Sequence, residues 1–172
     1  MSGSHLSAQW HLLVVRYRSE KKVTLALRSK GFEVFLPTYL AKRQWSDRVK
    51  EIELPLIPCY LFCRFPSRDL LRVVSTPGVL SGCGADPHPV PVSDFEMERI
   101  RRVLTCGFPI EPWPDQVAGW ERAGRMVCMD QGRLCDVSGV LLEEDDRCRF
   151  VVRLDPVQRS VAVEIPKEQI SL

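Results

Sequence analysis

Residues 55–65 read Pro-Leu-Ile-Pro-Cys-Tyr-Leu-Phe-Cys-Arg-Phe, a run in which apolar and aromatic residues follow one another almost without interruption. A strand with one solvated face alternates apolar and polar residues, whereas an unbroken apolar run indicates that both faces are covered. The run therefore predicts a buried strand from about Tyr60 to Phe65. One face can be covered by helices of the same domain, and the other is available to a binding partner.

The residues before this run predict two further strands and a helix. Residues 10–15 and 32–36 are rich in β-branched or aromatic side chains, as buried strands are. Between them a helix is predicted to begin after Ser19, a typical N-cap, and to end at Gly31, the residue type that most often closes a helix. Residues 40–53 are charged and lack a helical stripe, which predicts a projecting hairpin or loop.

Two more helices are predicted after the run. The first is short, is capped by Ser67 and ends at residues 77–78, a Pro-Gly pair. Residues 79–92 are rich in Gly and Pro and hold at most a short strand. The second helix opens at a capping box formed by Ser93 and Glu96. The resulting order, β-α-β, hairpin, β-α-β-α, is close to the split βαβ layout, an antiparallel sheet with helices mainly on one face.

The C-terminal part of the chain has a different character. Residues 108–119 contain three prolines and show no period, which predicts an extended, semi-rigid linker. Short β-rich runs follow between residues 125 and 165, separated by turn residues, and predict a small β-barrel. The expected fold class is therefore α+β, with an N-terminal domain at 9–107, the linker, and a barrel at 120–172.

Composition narrows the class of protein. The chain has 172 residues and a net charge of +2, which is too small for non-specific phosphate binding across its whole surface. It contains no stretch long and apolar enough to span a membrane and no signal-peptide pattern. The cysteines are odd in number and form no Cys-x-x-Cys pair, so neither a disulfide framework nor a zinc site is predicted. They are Cys59, Cys63, Cys83, Cys106, Cys128, Cys135 and Cys148. Reduced thiols among apolar neighbours indicate the cytoplasm.

An enzyme is not predicted. His5 lies near the N-terminus, His11 at the start of a strand and His88 between two prolines, and none of them has a Cys or Asp at catalytic spacing. The sequence holds no phosphate-cradling glycine loop and no cluster of metal ligands. We therefore expect no catalytic residue, no metal and no cofactor.

Several short motifs, taken together, resemble one family. Trp10-His-Leu-Leu-Val-Val, Glu20-Lys-Lys-Val, Phe35-Leu-Pro, Pro55-Leu-Ile-Pro-Cys-Tyr-Leu-Phe and Thr76-Pro-Gly-Val resemble the N-terminal (NGN) domain of NusG-type transcription factors. Val127, Gly132, Leu134, Gly139 and Val140 resemble a KOW module, which is an SH3-like barrel. The stretch Arg43-Gln-Trp-Ser-Asp-Arg is most similar to the specialised UpxY-like and RfaH-like paralogues. Three positions depart from the family: Cys59 replaces the usual Gly or Asn, Ile57 replaces a frequent Phe, and Arg133 replaces a common Pro.

The resemblance implies a bacterial transcription elongation factor that regulates pausing or processive antitermination. Its NGN domain would bind the clamp helices of the largest subunit of RNA polymerase through an exposed apolar sheet face. The matching positions here are Val14, Ile57, Tyr60 and Phe62, although the pattern alone also allows them to be core residues. The KOW module would recruit a small-subunit ribosomal protein or the Rho termination factor. The alternative is a ribosome- or RNA-binding KOW protein without a polymerase role.

Two groups of basic residues are candidates for nucleic-acid contact. Lys42, Arg43, Trp45 and Arg48 interleave an indole with positive charges, which suits phosphates and a stacked base. Arg16 and Arg18 match positions that face the non-template DNA in similar factors. Both groups can equally be solvated surface charges. The arginines of the third predicted helix, Arg99, Arg101 and Arg102, are expected on its solvated side.

Overall fold

The strand predicted at residues 60–65 forms with those bounds in the computed structural model. The structure describes residues 7–45, 48–81, 88–114, 124–129, 132–144 and 147–167. By internal contacts the chain divides into two units, Met1–Met97 and Glu98–Leu172. The architecture is α+β with few helices and antiparallel sheets, as the sequence predicts. Among the described residues, no helix is long and apolar enough to cross a membrane.

The first unit is built on a five-stranded antiparallel sheet with a separate hairpin. Its strands are β1 (Gln9–Val15), β2 (Glu33–Phe35), β3 (Thr38–Gln44), β4 (Val49–Pro55), β5 (Tyr60–Phe65), β6 (Val79–Ser81) and β7 (Val90–Val92). The sheet has the order β2-β5-β1-β6, and β7 also pairs with β1. Strands β3 and β4 pair only with each other, so the hairpin predicted within residues 40–53 is confirmed with slightly wider bounds.

The first unit contains two α-helices, α1 (Glu20–Ser29) and α2 (Leu70–Val74), and a third helix, α3 (Asp94–Leu104), begins in the first unit and continues in the second. The predicted capping box is present, since the backbone N–H of Ser93 donates to Glu96 at 3.1 Å and that of Glu96 donates to the Ser93 hydroxyl at 3.2 Å. Gly31 follows α1 with φ +89°, the left-handed conformation that glycine adopts without strain. Ser19 occupies the N-cap position of α1, but its hydroxyl makes no capping hydrogen bond to the described residues.

Alternation along β1 and β5 gives the sheet two distinct faces, and most side chains on each of them are buried. Residues such as Leu13, Leu61 and Phe65 pack against Val23 and Leu27 of α1 and against α2, which therefore cover the first face. On the second face the side chains of Trp10, Leu12, Phe62 and Val92 are all nearly inaccessible to solvent. The unbroken apolar run thus has the cause that the sequence predicts, a strand covered on both sides.

The second unit is a five-stranded antiparallel sheet in the order β8-β12-β11-β10-β9. Its strands are β8 (Ile110–Trp113), β9 (Arg125–Cys128), β10 (Ser138–Glu144), β11 (Arg147–Leu154) and β12 (Arg159–Pro166). Gly139 of β10 allows β11 to approach closely, because a Cβ at this position would lie 2.6 Å from the carbonyl oxygen of Val151. The glycine that contributes to the KOW resemblance is therefore required by strand packing.

Strand β8 lies inside the segment that was predicted to be a linker, residues 108–119. Residues 110–113 pair with β12, with Pro112 opposite Val161. Proline cannot donate to a sheet ladder, but β8 is an edge strand, where this donor is not needed. The extended conformation agrees with the prediction, but residues 110–113 belong to the sheet of the second unit and are not a linker, whereas residues 115–119 lie outside the described part of the chain.

The arginines of α3 correct a second expectation. The Arg99 guanidinium donates to the carbonyl oxygens of Ser138 and Arg153 at 3.5 and 3.3 Å and lies 3.6 Å from Asp155 Oδ2. Arg102 donates to the Cys135 carbonyl oxygen at 3.1 Å. The predicted solvated position is therefore wrong for Arg99, whose contacts with the β-rich sheet lie within the second unit.

Candidate functional site

The loop between β1 and α1 presents Arg16, Tyr17 and Arg18 to solvent, and we call these three residues the basic loop. Its backbone is fixed at its start, where the N–H of Arg16 donates to the Gly78 carbonyl oxygen at 2.8 Å. At its end the N–H of Ser19 donates to the Arg16 carbonyl oxygen at 2.9 Å. Arg18 has φ +62°, a left-handed conformation that residues with a side chain adopt only at a cost. The two predicted arginines are thus held on a constrained turn.

Tyr17 is a residue of this loop that the sequence analysis did not single out. Its side chain is 60% exposed, and the Cζ atom of Arg18 lies 5.4 Å from the centroid of its ring. A guanidinium at this distance over an aromatic face is a cation–π contact. The alternation of arginine and tyrosine at residues 16–18 was the available signal, since it repeats the basic-aromatic pattern recognised around Trp45.

The hairpin of β3 and β4, which we call the basic hairpin, separates its basic residues onto two faces. Arg43 lies directly opposite Lys50, and Lys42 lies opposite Glu51. Adjacent residues of a strand point to opposite faces, so Arg43 and Lys50 share one face of the hairpin. Lys42 and Glu51 lie on the other face. Like charges in directly opposed positions destabilise a hairpin. Because an anion relieves this repulsion, Lys50 joins the predicted Arg43 as a candidate phosphate contact.

Trp45 follows β3 at the end of the basic hairpin, and its side chain is 58% exposed. Its backbone N–H donates to the Arg48 carbonyl oxygen at 2.8 Å, which closes the turn, while residues 46–47 lie outside the described residues. The structure therefore places the predicted indole and the predicted Arg48 together at the tip. An exposed indole between cations is the arrangement that stacks on a base.

The predicted basic residues share one electrostatic property. In the described part of the chain none of Arg16, Arg18, Lys42, Arg43 and Arg48 lies within salt-bridge distance of an acidic side chain. Other basic residues of the same unit are paired, among them Lys21 with Glu53 and Arg72 with Asp69. Unneutralised cations on a nearly neutral chain form a local site for an anion.

An anchor at the base of the basic hairpin connects it to α1, which follows the basic loop. Lys21 Nζ donates to Glu53 Oε2 at 3.0 Å and to the Glu53 carbonyl oxygen at 2.9 Å. The Thr38 hydroxyl donates to the other carboxylate oxygen at 2.9 Å. The hydrogen bond from Lys21, followed by that from Thr38, lowers the pKa of Glu53, so this carboxylate remains charged at neutral pH.

The four apolar candidates fall into two pairs with different exposure. Val14 and Tyr60 lie directly opposite each other in the sheet and are half-buried. Ile57 and Phe62 are only 3% and 0% exposed. The prediction that these two belong to an exposed patch is wrong. Phe62 lies in a strand with neighbours on both sides, and its ring packs against Phe35 of β2, 6.3 Å between centroids.

The segment joining β4 to β5 is held by a buried carboxylate. Cys59 has φ +70°, and its backbone N–H donates to Glu20 Oε1 at 2.9 Å, while its carbonyl oxygen accepts from the N–H of Val15 at 2.8 Å. Burial, together with the nearby charge of Glu20, raises the pKa of the Cys59 thiol. The left-handed backbone explains why Gly or Asn is usual in the family at this position, because both tolerate it better than cysteine.

The second unit contains a cavity of about 210 Å³. It is lined by Cys106, Phe108, Met129, Gly132, Arg133, Leu134 and Ile165, none of which was predicted to be functional. Burial raises the pKa of the Cys106 thiol, which disfavours a reactive thiolate. In the described ranges, no group of three or more His, Cys, Asp or Glu side chains is placed to hold a metal ion.

Comparison with known proteins identifies the family. The sequence profile of the family described as transcription termination factor nusG matches residues 8–101, more than half of the chain. No curated protein matches. A solved structure of NusG from Thermotoga maritima, reported for its domain interaction, is similar in fold, with a TM-score of 0.58 and 21% sequence identity. The match covers 92% of this chain and 94% of that one. The matched profile and the order of strands and helices lead to one conclusion: the chain belongs to the NusG family of transcription factors.

Proposed function

We propose that this protein is a cytoplasmic transcription elongation factor of the specialised UpxY-like or RfaH-like kind, which acts by binding and catalyses no reaction. It binds the clamp helices of the largest RNA polymerase subunit and regulates pausing or processive antitermination. The observation that carries the proposal is the placement of unneutralised basic residues beside a half-buried apolar pair. Val14 and Arg16 are two residues apart at the end of β1, with Tyr60 opposite Val14.

The polymerase contact is centred on Val14 and Tyr60. Both are partly accessible, and the neighbouring Pro58 is exposed. A partner can therefore contact their apolar atoms while the sheet stays intact. A factor that binds the closed clamp more tightly than the open clamp shifts the polymerase toward the closed state, which pauses and terminates less readily. Ile57 and Phe62 are buried and are therefore not part of this contact, although Phe62 lies on the same sheet face as Tyr60.

The basic loop and the basic hairpin contact the non-template DNA of the transcribing complex. A net charge of +2 gives the free protein little general affinity for nucleic acid, and such affinity decreases further as salt rises. Once the polymerase holds the domain, the exposed strand is present at a high effective concentration, and weak contacts then contribute. Arg43, Lys50 and Trp45 are the hairpin residues best placed for this contact.

The second unit acts as a KOW module that recruits a further partner, either a small-subunit ribosomal protein or the Rho termination factor. Its five antiparallel strands and the closely packed Gly139 support this assignment. Gly132 has φ +76°, which agrees with a turn at the position where the KOW resemblance places its glycine.

Binding to purified core RNA polymerase tests the proposal. We expect the parent chain to be retained by immobilised polymerase, and Tyr60→Ala to weaken retention while the domain stays folded. Leu71→Ala is the matched control, because Leu71 is 78% exposed on α2, which covers the opposite face of the sheet. If the folded parent chain is not retained by polymerase but binds ribosomes or RNA, the proposal is contradicted. That result would support a KOW protein without a polymerase role.

A further inference from the structure

Apart from its contact with Arg18, the ring of Tyr17 has no assigned partner among the polymerase and phosphate contacts proposed above. We propose that Tyr17 stacks on an unpaired base of a single-stranded nucleic acid, while Arg16 and Arg18 contact the adjoining phosphates. The inference rests on the proposed function only for the source of the strand, the transcribing complex. The stacking itself belongs to the free chain and is measurable without polymerase.

The surroundings of the ring favour a flat ligand. Tyr17 is 60% exposed, although a tyrosine of a folded domain gains by burying its ring. Arg18 lies over the ring at 5.4 Å from its centroid and occupies one face. A base stacking on the opposite face completes a sandwich of base, phenol and guanidinium. Every nucleobase has a π-face, so this contact is tolerant of sequence.

The backbone of the basic loop is already set for such a contact. Arg18 keeps a left-handed conformation (φ +62°), and strained residues of this kind cluster at sites where a structure is held ready for a ligand. Gly78 accepts the N–H of Arg16 and cannot be replaced without a clash, because a Cβ there would lie 2.7 Å from Val23 Cγ2. A constrained loop loses little conformational entropy when it binds.

The charges and the ring together favour a single strand over a duplex. In the described part of the chain neither Arg16 nor Arg18 has an acidic partner, so both are available to phosphates. In a duplex the bases are already stacked and paired, and the ring would contact one only after that stacking is broken. An unpaired base is accessible without this penalty.

Fluorescence anisotropy with short labelled oligonucleotides tests the inference on the full chain at low salt. Single-stranded DNA, RNA of the same sequence and the corresponding DNA duplex are compared. We expect Tyr17→Ala to weaken single-strand binding by about fivefold or more, since stacking contributes at least this factor per base. Tyr17→Phe keeps the ring and should remain close to the parent. Duplex binding should not respond to either change. The DNA and RNA arms show which strand the loop prefers.

Phe95→Ala is the matched control, because Phe95 is an exposed aromatic of α3 at 73% and lies outside the basic loop. Circular dichroism checks that each variant is folded. Photocrosslinking of a strand that contains 5-iododeoxyuridine, followed by mass spectrometry, should identify Tyr17 as the attachment point. Unchanged single-strand affinity of Tyr17→Ala, an equal loss on the duplex, or no measurable single-strand binding at low salt would each overturn the inference.

The polymerase assay separates this inference from the proposed function. Tyr17→Ala should be retained by core polymerase as well as the parent, because Tyr17 is not part of the Val14 and Tyr60 contact. If the parent fails to bind polymerase but loses single-strand affinity with Tyr17→Ala, the proposed function fails and the stacking contact stands. If polymerase binding is normal and Tyr17→Ala binds single strands like the parent, only the stacking contact fails.

Discussion

Replacing Glu20 by Ala should destabilise the N-terminal unit far more than a typical surface substitution. Glu20 is the first residue of α1 and is only 3% exposed, and its carboxylate accepts the backbone N–H of Cys59 at 2.9 Å. A hydrogen bond to a charged group contributes about 1.5–3 kcal/mol. An acidic group in the first turn of a helix adds about 0.3–1 kcal/mol. We therefore expect the free energy of unfolding to fall by about 2–4 kcal/mol.

The conservative variant Glu20→Gln separates these contributions. Its amide oxygen can still accept the N–H of Cys59, so only the charge is lost, and we expect a decrease of about 1 kcal/mol. Glu33→Ala serves as the control, because Glu33 is more than half exposed and lies 3.7 Å from Arg64. An exposed ion pair of this kind contributes about 0–1 kcal/mol.

Two measurements check the Glu20 prediction. Urea denaturation gives the change in free energy of unfolding, and hydrogen exchange followed by mass spectrometry reports on the Cys59 amide itself. A loss of about 2 kcal/mol corresponds to roughly 30-fold faster exchange of the Cys59 amide, provided that the exchange rate is set by the equilibrium constant for opening. If Glu20→Ala unfolds within about 0.5 kcal/mol of the Glu33 control and residue 59 keeps its protection, the carboxylate does not hold this segment.

Four other substitutions or reactions test separate parts of the structure. Cys59→Asn should raise the free energy of unfolding by up to about 1 kcal/mol, because asparagine tolerates the left-handed backbone better, and a decrease in the urea midpoint would contradict this. Phe62→Ala should cost about 3–5 kcal/mol by the same assay, since the ring is fully buried, whereas a loss of polymerase binding at parent stability would show that the side chain is exposed. Trp45→Ala should leave polymerase binding intact and reduce the effect on elongation, and a crosslink from position 45 to DNA is the direct check. Burial raises the pKa of the Cys63 thiol to about 12, so it should resist iodoacetamide at pH 8 in the folded protein while the exposed Cys128 reacts; equal labelling by mass spectrometry would be inconsistent with that burial.

Local signals made much of the first unit predictable. The bounds of β5 follow from an unbroken apolar run, and the start of α3 follows from Ser93 and Glu96, whose spacing alone allows the capping box. The end of α1 at Gly31 and the hairpin after Pro37 depend in the same way on a few neighbouring residues. Each of these features depends on residues that are close together in the sequence, and sequence patterns report on that range.

The features that could not be predicted depend on pairing between distant residues. Burial of Phe62 follows from its neighbours across the sheet, and an apolar side chain looks the same in sequence whether it is core or contact. The prolines of β8 argue against a strand when only the sequence is known. They are tolerated because β8 is an edge strand that pairs with β12, about fifty residues later. The position of Lys50 directly opposite Arg43 follows only from the hairpin register.

The contacts between Lys21 and Glu53 join the base of the basic hairpin to α1, and the length of the hairpin sets how far its tip can reach. The hairpin runs from Thr38 to Gln44 and back, and a strand of this length spans about 20 Å. The tip with Trp45 therefore lies about that distance along the hairpin from its base at Thr38 and Pro55. Removing one opposed pair, which is one residue from each strand, would shorten this reach by about 3 Å. Hairpin length is therefore a dimension by which such a factor can be matched to the distance between its two contact points on a partner.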